Sequence, residues 1–363
     1  MMTTETLSTF ETFLAGHDEA DWAKIVRDLL PSIHEVDRNA TEIWFAFFPL
    51  ALLRAFEQSD DPERLAAQLL MQGRWLLRDQ IDTSHAFLYG HRFWPEVKRA
   101  VEELASAADA PANLVLASQI RETAGRVAAA LKVEQSLTIG ITAVAFMTLR
   151  QVGLAAFKAA PGAVSIDKKH VRRSPEDVVR ERARDDRQGL FGFLRTEDKR
   201  WTVVWDEHDE ERRFKVLHLQ EVASGAATDK RPWHELDTRC TINEGPIPVQ
   251  CRSASCGTCW VGVLGGAEKL TEVAARERRK MPEFGYLDTD ETRPLIRLSC
   301  QAQATGALSI VIPPWNGVFG KYLKRLEESG DTNAGTNDND AETNVDDAET
   351  NGGDDARASE AGA

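Results

Sequence analysis

The chain has 363 residues, 42% of them hydrophobic and 28% charged, with a formal net charge of −14. That length accommodates about two domains, and the apolar fraction can fill at least one substantial core. The acidic balance argues against nucleic-acid binding, and no run of about 18 apolar residues exists to form an integral membrane segment.

The charge is unevenly placed. Twelve Asp and Glu residues and one Arg lie between Glu327 and Glu360, a net of −11, so the rest of the chain carries about −3. The N-terminus, Met1 to Thr6, lacks the basic start and apolar core of a signal peptide, which points to a cytoplasmic protein. In a reducing compartment disulfides are disfavoured. Five cysteines suit four ligands and one spare better than a disulfide framework.

Residues 1–160 read as an all-α helical bundle of roughly five to seven helices. Trp22, Ile25, Val26, Leu29 and Leu30 share one helix face. Asp61-Pro62-Glu63 has the form of an N-cap with Pro at the first helical position. Ile43 to Phe56 is apolar nearly all round and predicts a buried central helix, kinked at Pro49 because proline lacks the backbone donor. Leu116, Ile120, Val127 and Leu131 form another stripe, with Pro111 near its start. Ser136 to Phe157 predicts a second strongly apolar helix.

Residues 161–200 read as a charged linker with one short polar helix. The segment holds Lys168-Lys-His-Val-Arg-Arg173 and Arg180-Glu-Arg-Ala-Arg184, with little apolar content before Leu190-Phe-Gly-Phe-Leu194. From Trp201 the pattern changes to strands. Trp201–Trp205 and Arg213–Leu217 flank a charged turn and predict a hairpin. Leu217 to Ala223 starts a helix, Cys259–Leu264 is a strand, Glu272–Phe284 is helical, and Ile296–Cys300 and Leu308–Ile312 are the final strands. Beyond Tyr322 a short amphipathic stub leads into low complexity, where Asp340-Ala-Glu-Thr-Asn344 recurs as Asp347-Ala-Glu-Thr-Asn351. This acidic tract, within residues 321–363, cannot bury enough apolar surface to offset ordering entropy, so disorder is expected.

The informative chemistry is in the cysteines. Cys251, Cys256 and Cys259 read C-x4-C-x2-C, with Cys300 as a distant fourth. This is the ligand spacing of a plant-type [2Fe–2S] site, although the three-Cys loop alone also suits zinc. The loop side chains Ser253, Ala254, Ser255, Gly257 and Thr258 are all small, so backbone N–H groups from Arg252 to Thr258 can approach sulfur. Gly245–Cys259 and Ile296-Arg-Leu-Ser-Cys-Gln301 resemble the plant-type and bacterial [2Fe–2S] ferredoxins, which carry similar C-R-x-G/A-x-C-x-x-C and R-L-x-C-Q stretches. The resemblance covers Trp201 to Trp315. It implies an α+β β-grasp ferredoxin-like domain over 201–320, a [2Fe–2S] cofactor, and pairing of Cys251 with Cys256 on one iron and Cys259 with Cys300 on the other. Two features depart from that family. Forty residues separate Cys259 from Cys300, and the intervening helix is basic, Arg276-Glu-Arg-Arg-Lys280.

The expected function is one-electron transfer between a reductase and an acceptor enzyme, with the helical half serving partner recognition or oligomerisation. The chain reads as a carrier more than as a self-contained enzyme. It has no G-x-G-x-x-G opening a βαβ unit, no phosphate loop and no nucleophile–base set. Two alternatives stay open: a redox subunit or electron-input module of a larger enzyme, and a redox sensor or scaffold. Trp260 either shields the site, lies on the electron's route or packs in the strand. Cys240 reads as an ordinary free thiol. His85 and His91, six residues apart, read as structural or surface groups.

Overall fold

A computed structural model of the chain describes residues 7–107, 115–182, 184–186, 199–284 and 291–330. The acidic repeats, the Leu190–Leu194 run, Pro111 and the first six residues lie outside them. Eight α-helices occur before residue 160 among the described residues: α1 (Thr9–Ala15), α2 (Glu19–Leu29), α3 (Glu35–Phe47), α4 (Leu50–Glu57), α5 (Pro62–Gln68), α6 (Trp94–Ser106), α7 (Leu116–Leu131) and α8 (Ser136–Ala159). Their starts follow local chemistry. The side chains of Ser8 and Asp18 each accept an N–H three residues on and are answered by Glu11 and Asp21, two capping boxes that satisfy orphan donors. Asp61 caps α5 with Pro62 at the first position.

The expected central helix over 43–56 is broken rather than kinked. Phe48 leaves helical geometry and Pro49 becomes the N-cap of α4. A proline here has no N–H to continue the ladder and its ring crowds the preceding turn. The freed carbonyls find side-chain donors: Gln151 donates to the Phe48 carbonyl at 2.7 Å and Trp315 to that of Phe47 at 2.8 Å. Helix α8 is the one described helix long and apolar enough to cross a membrane. Every residue from Leu137 to Leu149 is buried within the fold, which makes that stretch its core.

Residues 161–186 carry two short helices, α9 (Lys168–Val171) and α10 (Pro175–Arg182). Arg182 is buried. It makes a two-point ion pair with Glu207 at 2.8 and 3.2 Å and donates to the Val36 carbonyl at the start of α3. Glu207 in turn accepts from Ser309 at 2.7 Å. Val178 is buried on the same short helix.

The C-terminal half holds a mixed sheet: β1 (Arg200–Val204), β2 (Arg213–Leu217), β3 (Trp260–Gly265), β4 (Ile296–Leu298) and β5 (Leu308–Val311), in the order β2-β1-β5-β3-β4. Strands β1 and β2 form the expected hairpin, with Trp201 opposite Val216. Strand β5 runs parallel to β1 and antiparallel to β3, and β4 closes the far edge against β3. Helices α11 (Val222–Ala226), α12 (Trp233–Leu236), α13 (Ala275–Lys280) and α14 (Phe319–Gly330) fill the connections and the end.

Burial along the strands shows what covers the sheet. Strand β2 alternates, with Phe214 and Val216 inward, as in a sheet wet on one side. Strand β3 is buried at five consecutive positions, so both its faces are covered. Helix α3 supplies one cover. Asn39 donates to the Leu264 carbonyl at 3.3 Å, and Ile43 lies so close to Gly262 that an added Cβ would sit 2.5 Å from its methyl. Phe47 meets Trp260 edge to face at 5.2 Å, and Trp315 lies 4.9 Å from Trp260. The described residues up to 324 thus form one compact unit with a continuous core. Each fully buried aromatic in that core contributes roughly 2–3 kcal/mol of transfer free energy.

Candidate metal centre

Residues 251–259 form a tight loop outside any helix or strand. Arg252, Ala254 and Gly257 all have positive φ (54°, 58° and 73°). This coils the backbone so that its N–H groups turn inward. The Cys251 sulfur accepts from the N–H groups of Ser253 (3.4 Å), Ser255 (3.2 Å) and Cys256 (3.3 Å). Thr258 braces the loop across its width: its hydroxyl accepts the Gln250 N–H at 3.1 Å and contacts the Cys256 sulfur at 3.2 Å.

The other two thiols are brought together by the sheet. Cys259 immediately precedes β3 and Cys300 lies two residues after β4. The β3–β4 ladder is extended by Ser299, whose N–H and hydroxyl both reach the Cys259 carbonyl, at 3.0 and 2.7 Å. Gln301 donates its amide to the Cys300 sulfur at 3.4 Å. Cys259 and Cys300 are buried; Cys251 and Cys256 are half-buried.

Electrostatics follow from these contacts. Burial pushes the Cys251 thiol up, but the Ser253 N–H and the neighbouring Cys256 outweigh it and bring the pKa down to about 6. Contact with Cys259 draws Cys300 down to about 7 despite burial, helped by Gln301 and the Ala254 N–H. Cys259 is pushed well up, first by Cys300 and then by burial. One proton shared between two touching sulfurs accounts for that opposition. Among the described residues, no three His, Cys, Asp or Glu side chains close around a single-ion position. Cys251 interacts with Cys256 and Cys259 with Cys300, and weaker charge interactions link Cys251 to Cys300 and Cys256 to Cys259. Four thiols with loop N–H groups turned onto sulfur fit a [2Fe–2S] cluster.

Residues 235–305 match the family of 2Fe-2S iron-sulfur cluster binding domains. All four thiols lie inside the matched stretch, so the C-terminal part of the chain carries a [2Fe–2S] cluster-binding domain. The residues before it match no family. No curated protein and no solved structure matches the chain.

The cluster-binding domain has a support that sequence reasoning missed. Glu277 of α13 is fully buried and grips Arg297 at two points, 2.9 Å each, while also accepting the Leu298 N–H at 2.8 Å. Arg297 donates on to the Thr271 carbonyl. The pair anchors β4, and through it Cys300. The available signal was a single Glu among four cations in Arg276–Lys280. Trp260 turns away from the loop into the core, where its indole N–H donates to the Trp315 carbonyl at 3.1 Å. Cys240 is buried, donates to the Pro246 carbonyl at 3.4 Å, and is pushed up to about 12 by burial.

The histidines set aside in the sequence converge. His85 donates through Nε2 to the Ile81 carbonyl, so its Nδ1 accepts from His91 Nδ1 at 2.9 Å. His170 of α9 lies 4.0 Å from the His208 ring, and His208 donates to the Ala86 carbonyl at 2.9 Å. Burial lowers both His91 and His170 to about 4.

Proposed function

We propose that the chain is a one-electron transfer protein whose cluster is held by Cys251, Cys256, Cys259 and Cys300, and which shuttles electrons between a reductase and an acceptor enzyme. The bound cluster supplies a one-electron redox site. The observation that carries this reading is the 2Fe-2S domain match over residues 235–305, which holds all four thiols, together with three loop N–H groups turned onto the Cys251 sulfur. Those donors favour added negative charge and so raise the potential. The mixed strand order with β1 parallel to β5 supports a β-grasp fold for this half. The half-buried Cys251 and Cys256 mark the side open to a redox partner. Clustered thiols that must stay reduced suit a cytoplasmic location.

A second reading is favoured by the shared core. Because α3 seals one face of β3, the helical half is a fixed companion of the cluster-binding domain. This supports an electron-input module of a larger enzyme.

Anaerobic purification followed by iron and sulfide quantification and low-temperature EPR after dithionite tests the first reading. Equal iron and sulfide with a signal of one unpaired electron upholds it. A colourless protein containing zinc overturns it. Co-purification of a stoichiometric partner that turns over only with the holoprotein would favour the second.

A further inference from the structure

A cavity of about 370 Å³ is lined by Phe87 of the helical half and by the indoles of Trp205 and Trp233. Leu264, Ile310 and Ile312 also line it. The two indoles meet edge to face, 4.9 Å apart at 86°. The volume falls in the range of small-molecule sites, which are mostly apolar with a few fixed polar groups.

The charged side chains at its edge are already matched within the protein. Arg239 is held by Asp237 at 3.0 Å, Arg212 by Asp209 at 3.2 Å and Glu207 by Arg182 at 2.8 Å. The His208 Nε2–H is committed to the Ala86 carbonyl. Asp206 shares Arg212 with Asp209, at 3.8 Å, so both lining guanidinium groups are already engaged and none is left to draw in an anion. What the walls offer is aromatic surface at right angles, with the Arg212 guanidinium over both indoles at 4.9 and 5.8 Å, together with aliphatic surface and the unpartnered Trp205 Nε1. Such walls favour offset or edge-to-face ring contacts.

We propose that this cavity binds a small aromatic molecule of one or two rings, without a carboxylate group. An occupant would touch Phe87 and the two indoles. It would stabilise residues 1–324 as a whole by binding only the folded form. The site stands independently of the electron-transfer reading, because none of its walls is a proposed cluster ligand.

The test uses the full-length holoprotein and titration calorimetry with indole as the probe and indoleacetate as its charged counterpart. We expect saturable indole binding, weakened about tenfold or more in Phe87→Trp and Ile312→Phe, both of which fill the space. Indoleacetate should bind at least about tenfold more weakly than indole, because its carboxylate finds no free cation. Unchanged visible absorption of the cluster checks that both variants are folded. Absence of saturable indole heat, equal affinity in the two filled variants, or tighter binding of indoleacetate would each overturn the proposal.

Discussion

The indole N–H of Trp315 donates to the main-chain carbonyl of Phe47 at 2.8 Å, across 268 residues of sequence. That carbonyl belongs to the last turn of a helix that Pro49 cuts short, and it has no later N–H in the helix to receive. The C-terminal half therefore completes the end of an N-terminal helix. Trp315→Phe keeps an aromatic ring but removes the donor and part of the buried indole. Leaving a buried carbonyl unsatisfied costs about 1–3 kcal/mol. Urea unfolding should show a single transition moved to lower denaturant, followed equally by helix dichroism and by cluster absorption. Two separated transitions would mean that the halves fold independently.

Cys300→Ser should give a labile or absent cluster while the helical half stays folded. Hydroxyl is a poorer ligand for iron than thiolate, and Cys300 is the one proposed ligand outside the loop. Visible spectra recorded after anaerobic reconstitution would show weakened or shifted absorption. A full-strength, unshifted spectrum would remove Cys300 from the ligand set.

Glu277→Gln leaves Arg297 charged and buried without a counterion. Breaking one partner of a buried pair costs about 3–5 kcal/mol. Glu277 also accepts the Leu298 N–H, so the loss falls on the strand leading to Cys300. We expect both a lower unfolding midpoint and faster cluster bleaching in chelator. Exchanging surface-exposed Arg276 for Gln should change neither.

Acid should loosen the junction through its histidines. Burial holds His91 and His170 near 4 in the folded chain, below the usual 6.5. A group with a depressed folded pKa binds protons more tightly when unfolded. Stability is then fully present above 6.5 and falls as pH drops from 6.5 towards 4. The loss at completion is on the order of 3 kcal/mol for His91 and smaller for His170, whose charge is better screened by solvent. Arg92, Arg173 and His208 add like charge, and Glu207 opposes them. Unfolding free energy measured from pH 7 to 4.5 should decline, and His170→Phe should flatten that decline.

Much of this was legible in the residues. The C-x4-C-x2-C spacing with small residues between marked the loop, and short apolar runs rich in β-branched and aromatic residues marked β1, β2, β3 and β5. Asp61-Pro62 marked a helix start because capping is local chemistry. What the sequence could not display was pairing at a distance. His85 and His91 are off-phase for one helix face and meet only because the intervening chain is irregular. Glu277 reads as one more surface charge until Arg297 arrives from twenty residues away. Continuous burial of β3 reads equally as a strand covered by its own domain; Ile43 and Phe47 as the cover are a tertiary fact. Pro49 announced a disturbance in its helix, and the stronger outcome, a full break, depended on Gln151 and Trp315 being in place for the released carbonyls.

Only β3 and β4 fall inside the 235–305 match; β1, β2 and β5 lie outside it. A fragment trimmed to those limits would keep every sulfur and lose the strands that hold the thiol-bearing pair in a sheet. Anyone grafting this cluster-binding part onto another scaffold must cut no later than residue 199 and no earlier than Trp315. The graft must also bring a substitute for Ile43 and Phe47, since the bare face of β3 would otherwise become an adhesive surface in solution.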